Sequence, residues 1–203
     1  MRAERQLRLS LEAKPGRVQL VPPELGDFPE TSIWSFGGGV PGPLIRAWQG
    51  DVLQRRLINS LPQPTAVHWH GLRIPNAMDG VPGLTQDPVP PGGEFLYEFR
   101  LKDAGTYWYH SHNQSTEQVA RGHYGVMVVD EAEAPEVDQD IVVVLDDYEG
   151  RSAQKVGFSN PLVLRQSSRF AANDDFKLFP KCCAASELEQ VAESEHCQCT
   201  VTG

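Results

Sequence analysis

Gly105-Thr106-Tyr107-Trp108-Tyr109-His110-Ser111-His112 is the stretch on which the reading of this chain turns. Its aromatic and β-branched residues favour a strand, and a strand sends successive side chains to opposite faces. Tyr107 and Tyr109 then share one face, while Trp108, His110 and His112 share the other. A second H-x-H lies upstream in Val67-His68-Trp69-His70-Gly71, where Val67 and Trp69 oppose His68 and His70. Neighbouring strands lie about 4.8 Å apart, so if these two are adjacent, four imidazoles converge on one patch. Such a patch suits copper, zinc or iron. Residues i and i+2 on a strand are about 6.6 Å apart, so each pair either grips a single ion or serves two neighbouring ions. One H-x-H is more often structural than a ligand. Two of them, using four of only six histidines, point to metal.

Outward from these pairs, short alternating or apolar runs recur between turn signals. The predicted strands are 7–11, 17–21, 31–36, 44–47, 52–59, 65–71, 95–101, 105–109, 124–130 and 141–145. Gly37-Gly38-Gly39, Pro41-Gly42-Pro43, Pro62 to Pro64 and Pro88 to Gly93 separate them. Ten strands without a long helical pattern predict an all-β, Greek-key sandwich. Residues 113–120 have room for one or two helical turns.

The 203 residues carry a net charge of −9, which weighs against a nucleic-acid partner. The longest relevant apolar run, Ile141 to Leu145, is strand-sized, so no membrane span is expected. Met1-Arg2-Ala3-Glu4-Arg5 lacks the apolar stretch of a secretory signal. The expectation is a protein that stays inside the cell or a chain from which an export signal is missing; the compartment is left open. Alternation fades near Tyr148, giving a domain over 1–148 and an irregular or partly helical tail over 149–203, with Ser186 to Glu195 as a candidate amphipathic helix. All four cysteines lie in that tail, and Cys182-Cys183 with His196-Cys197-Gln198-Cys199 make a weak zinc candidate.

Several motifs together resemble the first, plastocyanin-like cupredoxin domain of the multicopper oxidase (laccase-like) family. They are Val40-Pro41-Gly42-Pro43-Leu44-Ile45, His68-Trp69-His70-Gly71, Asp79-Gly80-Val81-Pro82 followed by Thr85-Gln86, and Gly105 to His112. The strand from Gly122 to Val129 fits as well. The resemblance implies a cupredoxin-like fold and half the ligands of a trinuclear copper cluster. On this chain His68 would bind the type 2 copper, His70 and His110 one copper of the type 3 pair, and His112 the other. Asp79 matches an acidic residue that helps relay protons; as a bare dipeptide, Asp79-Gly80 is also a good turn. O2 would be reduced to water while phenols, aromatic amines or metal ions are oxidised.

The chain also departs from that family. No cysteine precedes Cys182, so no blue type 1 site is expected, and the family's later histidine motifs are absent. His123 stands where an aliphatic residue is usual, which predicts a packed or strand-edge histidine. The expected whole is the front end of a longer oxidase, inactive alone, needing further cupredoxin domains or a complementary subunit. The alternatives are a non-catalytic copper- or zinc-binding cupredoxin module, and a fragment whose aromatic strip around Trp108 and Tyr109 faces another domain.

Overall fold

A strand of thirteen residues, β1 (Gln6–Val18), organises the first sheet by changing partners midway. Its first part runs parallel to β4 (Val52–Asn59), from Gln6 beside Val52 to Ala13 beside Asn59. From Ala13 to Val18 it pairs antiparallel with β2 (Thr31–Phe36). The sequence predicts two strands here, 7–11 and 17–21, yet one strand runs through Pro15 and Gly16 between them. There it pairs with β2 and no longer with β4, and a proline is tolerated where a strand has one neighbour. The computed structural model describes residues 5–20, 29–133 and 136–146, together with the backbone of Leu162–Ser168.

β6 (Glu94–Arg100) completes this sheet in the order β2-β1-β4-β6. The second sheet holds β3 (Gly42–Trp48), β5 (His68–His70), β7 (Gly105–His110) and β8 (Tyr124–Asp130) in the order β3-β8-β7-β5. The inner faces bury Leu53, Leu57, Tyr97 and Phe99 from the first sheet against Ile45, Trp69, Tyr109 and Met127 from the second. Each such side chain contributes roughly 1.5–3 kcal/mol on leaving water. The Trp69 ring meets Tyr97 edge-on at 5.6 Å and Phe99 at 5.3 Å, an arrangement aromatic quadrupoles favour. The predicted all-β sandwich is thus the fold found.

Alternation fails in one instructive place. Residues 65–71 read as one strand, but only His68–His70 join the second sheet. Thr65 instead exchanges two backbone hydrogen bonds with Val89, and the Val67 N–H donates to the Tyr97 hydroxyl at 2.9 Å. The aromatic strip also differs from the expectation: Tyr109 is fully buried in this domain's own core. Its hydroxyl donates to the Pro43 carbonyl and occupies a slot left by Gly125, where a Cβ would lie 2.3 Å from that oxygen.

At the far edge, Arg46 of β3 donates twice to Asp130 of β8, at 2.7 and 2.9 Å, and once to Asp140 at 2.7 Å. Asp140 belongs to β9 (Gln139–Leu145), and the Tyr124 hydroxyl donates to the Asp146 carboxylate just beyond it. β10 (Leu162–Ser168), which alternation did not predict, pairs antiparallel with β9. The four cysteines, His196 and the helix expected over 186–195 lie outside the described residues. Among the described residues no helix is long and apolar enough to cross a membrane.

Candidate metal centre

β5 and β7 are hydrogen-bonded neighbours, with His68 opposite His110, Trp69 opposite Tyr109 and His70 opposite Trp108. Trp69 and Tyr109 point into the core, so strand alternation turns the imidazoles of His68, His70 and His110 out on the other face. Their donor atoms all lie within 4.8 Å of one another. The closest approach is 3.3 Å, between His70 Nδ1 and His110 Nε2. Two bonds of roughly 2 Å to one shared ion would span that gap near the tetrahedral angle.

Backbone carbonyls decide which nitrogen each ring offers, because a carbonyl can only accept. His68 Nδ1–H donates to the Asp79 carbonyl at 2.7 Å, and His110 Nδ1–H donates to the Ser111 carbonyl at 2.8 Å. Both rings therefore carry a proton on Nδ1 and turn Nε2 towards the centre, the usual way a ligating histidine is oriented. Burial pushes the His110 imidazole down to about 4, and His68, His70 and His112 add to this by opposing a further positive charge. His70 is lowered by burial and then by His68 and His112. These two rings are neutral at pH 7, the form a metal requires. Three convergent imidazoles fit a transition metal.

His112 lies past the end of β7, exposed, with its ring 5.2 Å from that of His68 and 6.2 Å from that of His110. The structure brings it beside the trio but not into it. Trp108 forms a shelf under the pair, stacked on His110 at 4.0 Å and 5.2 Å from His70.

Asp79 caps the short 3-10 helix Asn76–Met78, and its Oδ1 lies 3.5 Å from His68 Nδ1. The turn and the neighbouring carboxylate are thus both present. Gly80 makes this approach possible: its φ is +79°, and a Cβ there would sit 1.8 Å from the Val67 carbonyl oxygen. His123 is packed, as its position suggested: it is fully buried, 3.8 Å ring to ring from Phe36.

Sequence reasoning missed a set of polar residues behind the centre. Gln118 of α1 (Ser115–Gln118), Thr65 and Ser111 are fully buried and hydrogen-bonded to each other. The available signal was faint. Ser111 and Thr65 lie just outside β7 and β5 but share the parity of the inward-facing Tyr109 and Trp69, where apolar residues are usual.

The family model described as multicopper oxidase matches residues 18–134. Copper resistance protein A of Pseudomonas syringae pv. tomato is 46% identical over 117 residues, which cover 56% of this chain and 19% of that protein. Multicopper oxidase MmcO of Mycobacterium tuberculosis is 37% identical over 156 residues, 75% of this chain and 29% of that one. Among solved structures, a multi-copper oxidase from Pseudomonas thermotolerans shares 43% identity at a TM-score of 0.62, covering 67% of this chain and 32% of that one. The chain therefore spans about a fifth of the first of these curated relatives, 19% of its length.

Proposed function

This chain belongs to the multicopper oxidase family, and from that we propose that it supplies one half of a trinuclear copper centre for the reduction of O2. In this reading His68 holds the type 2 copper, His70 and His110 share one type 3 copper, and His112 holds the other. The observation that carries the proposal is the 3.3 Å approach of His70 Nδ1 and His110 Nε2 across β5 and β7. The domain taken as residues 1–148 presents these ligands on one face, and the remaining ligands come from further cupredoxin domains or a complementary subunit.

Bound copper would supply the redox chemistry, passing electrons from phenols, aromatic amines or metal ions to O2 until four electrons and four protons have made two waters. The protein's own residues prepare for it. The Asp79 and Ser111 carbonyls fix the rings of His68 and His110 so that Nε2 faces the centre. In this reading the Asp79 carboxylate, 3.5 Å from His68 Nδ1 and partly open to solvent, accepts a proton and hands one on. Trp108 restricts rotation of the His110 ring by stacking on it.

A second reading, a non-catalytic copper- or zinc-binding module, draws support from the same trio, since three imidazoles and a water satisfy zinc. Titrating the full chain with Cu(II) and recording electron paramagnetic resonance tests the first. A type 2 signal without a blue-copper signal is expected; His68→Ala should remove most of it, and His110→Ala should lower the copper uptake. Copper uptake that ignores His110→Ala would overturn the reading. Steady O2-dependent oxidation of a phenol by the chain alone would overturn the claim that the centre is shared.

A further inference from the structure

We propose that Gln118 is a positioning residue that holds the two histidine segments at the separation the metal needs, an inference that rests on the copper reading above. Gln118 is fully buried although polar, and its amide is oriented by its partners. Nε2 donates to the Pro64 carbonyl at 2.9 Å and to Gln63 Oε1 at 3.4 Å, acceptors that only the nitrogen end can serve. Oε1 then faces the other way. It accepts from the Thr65 hydroxyl at 2.8 Å and the Ser111 hydroxyl at 2.5 Å, with His123 Nδ1 at 3.4 Å.

These partners belong to the segments that carry the ligands. Pro64 and Thr65 lead into β5, four and three residues before His68, and Ser111 stands between His110 and His112. His123 lies just before β8, where its carbonyl accepts from Ser111 N at 3.1 Å and its N–H donates to the Gln118 carbonyl at 3.0 Å. Asn113 strengthens the same link, donating from Nδ2 to the Pro64 carbonyl at 2.6 Å and from its backbone to Ser111 Oγ at 3.2 Å.

The β5–β7 ladder spans only three residue pairs, from His68 opposite His110 to His70 opposite Trp108. Beyond it, His112 has no strand partner, and its place relative to His68 depends on how Ser111 is tied to Thr65. Gln118 strengthens that tie, accepting from both hydroxyls at shorter distances than the 3.3 Å between them. It touches none of the four imidazoles in the hydrogen bonds observed, so it acts on the metal only through Thr65 and Ser111. Buried hydrogen bonds of this kind fix the relative position of the segments they join, here with both ends of the Gln118 amide partnered.

The test uses the full 203-residue chain, with Cu(II) titrated against a competing chelator, electron paramagnetic resonance of the loaded samples and circular dichroism to monitor the fold. Gln118→Met keeps the length and loses the hydrogen bonds. It should weaken Cu(II) affinity about tenfold and change the copper hyperfine splitting while the sheet signal is retained. Thr65→Val should move both readouts in the same direction, and Thr65→Ser should restore them. A folded Gln118→Met chain with wild-type affinity and spectrum overturns the proposal. If that variant does not fold, a Thr65→Val chain indistinguishable from wild type overturns it instead. Failure of the wild-type chain to bind copper in a manner sensitive to His110→Ala would be a different result, sinking the metal reading and not the role of Gln118 alone.

Discussion

The two histidine pairs share a spacing and are held in opposite ways. His68 and His70 ride on β5, a three-residue strand at the sheet edge, and main-chain packing pins it. Gly80 lies against the Val67 carbonyl, the Asp79 carbonyl takes the His68 proton, and the Tyr97 hydroxyl takes the Val67 N–H. His110 closes β7, an interior strand, and His112 follows it; the Ser111 carbonyl holds the His110 ring, and side chains of Ser111, Asn113, Thr65 and Gln118 tie the segment down. A backbone clamp admits no added atom, whereas a side-chain network can be weakened one bond at a time. The first pair should therefore fail abruptly and the second by degrees.

The most disruptive way to test this contrast is Gly80→Ala. The new methyl meets the Val67 carbonyl at 1.8 Å in a backbone conformation with φ +79°. A loss of about 3 kcal/mol or more is expected in urea denaturation. A variant as stable as wild type would mean that no clamp exists there.

A smaller effect comes from the other side. Burial, with a lesser contribution from His110, pushes the His123 imidazole down to about 3. The unfolded chain takes up that proton near 6.5. The unfolded state thus binds more protons between these values, so stability is full above about 6.5 and falls as pH drops towards 3. At pH 5 the cost is about 2 kcal/mol. His123→Leu should make this acid limb shallower in the metal-free chain, leaving the share of His110, which burial also lowers, whereas Gly80→Ala should lower the whole curve without changing its slope. An unaltered limb in His123→Leu would assign the acid sensitivity elsewhere.

The least effect is expected from Asp79→Asn, which keeps the carbonyl that orients His68. Copper affinity should stay within about threefold of wild type, measured by chelator competition. A large loss would show that the carboxylate, rather than the main chain, sets the ring.

Much of this contrast lies outside what a sequence can express. Strands Thr31–Phe36, Val52–Asn59 and Tyr124–Asp130 were legible to the residue, because alternation and β-branched residues record which face is buried. The same parity set Trp69 and Tyr109 on the face opposite the imidazoles, and the structure turns that face into the core. Pairing is a different matter. That β5 lies beside β7, that Thr65 turns away to Val89, and that β1 passes through Pro15 all depend on distant partners. The choice of Nδ1 or Nε2 depends on carbonyls placed by turns. Gln118 gave the weakest signal, since a glutamine in a one-turn helix reads as a solvent-facing residue until three buried donors surround its oxygen.

Gly125 carries a consequence for the far side of its strand. The Tyr109 hydroxyl fits into the vacancy that glycine leaves, and Tyr109 sits between Gly125 on β8 and Trp69 on β5. Sliding β7 along its neighbours would drive the phenol into a filled position, so a missing methyl group keeps His110 level with His68. Steric exclusion of this kind carries no charge. Ionic strength has little hold on that alignment, while hydrostatic pressure, which acts on voids and packing, is the physical variable to which it should respond.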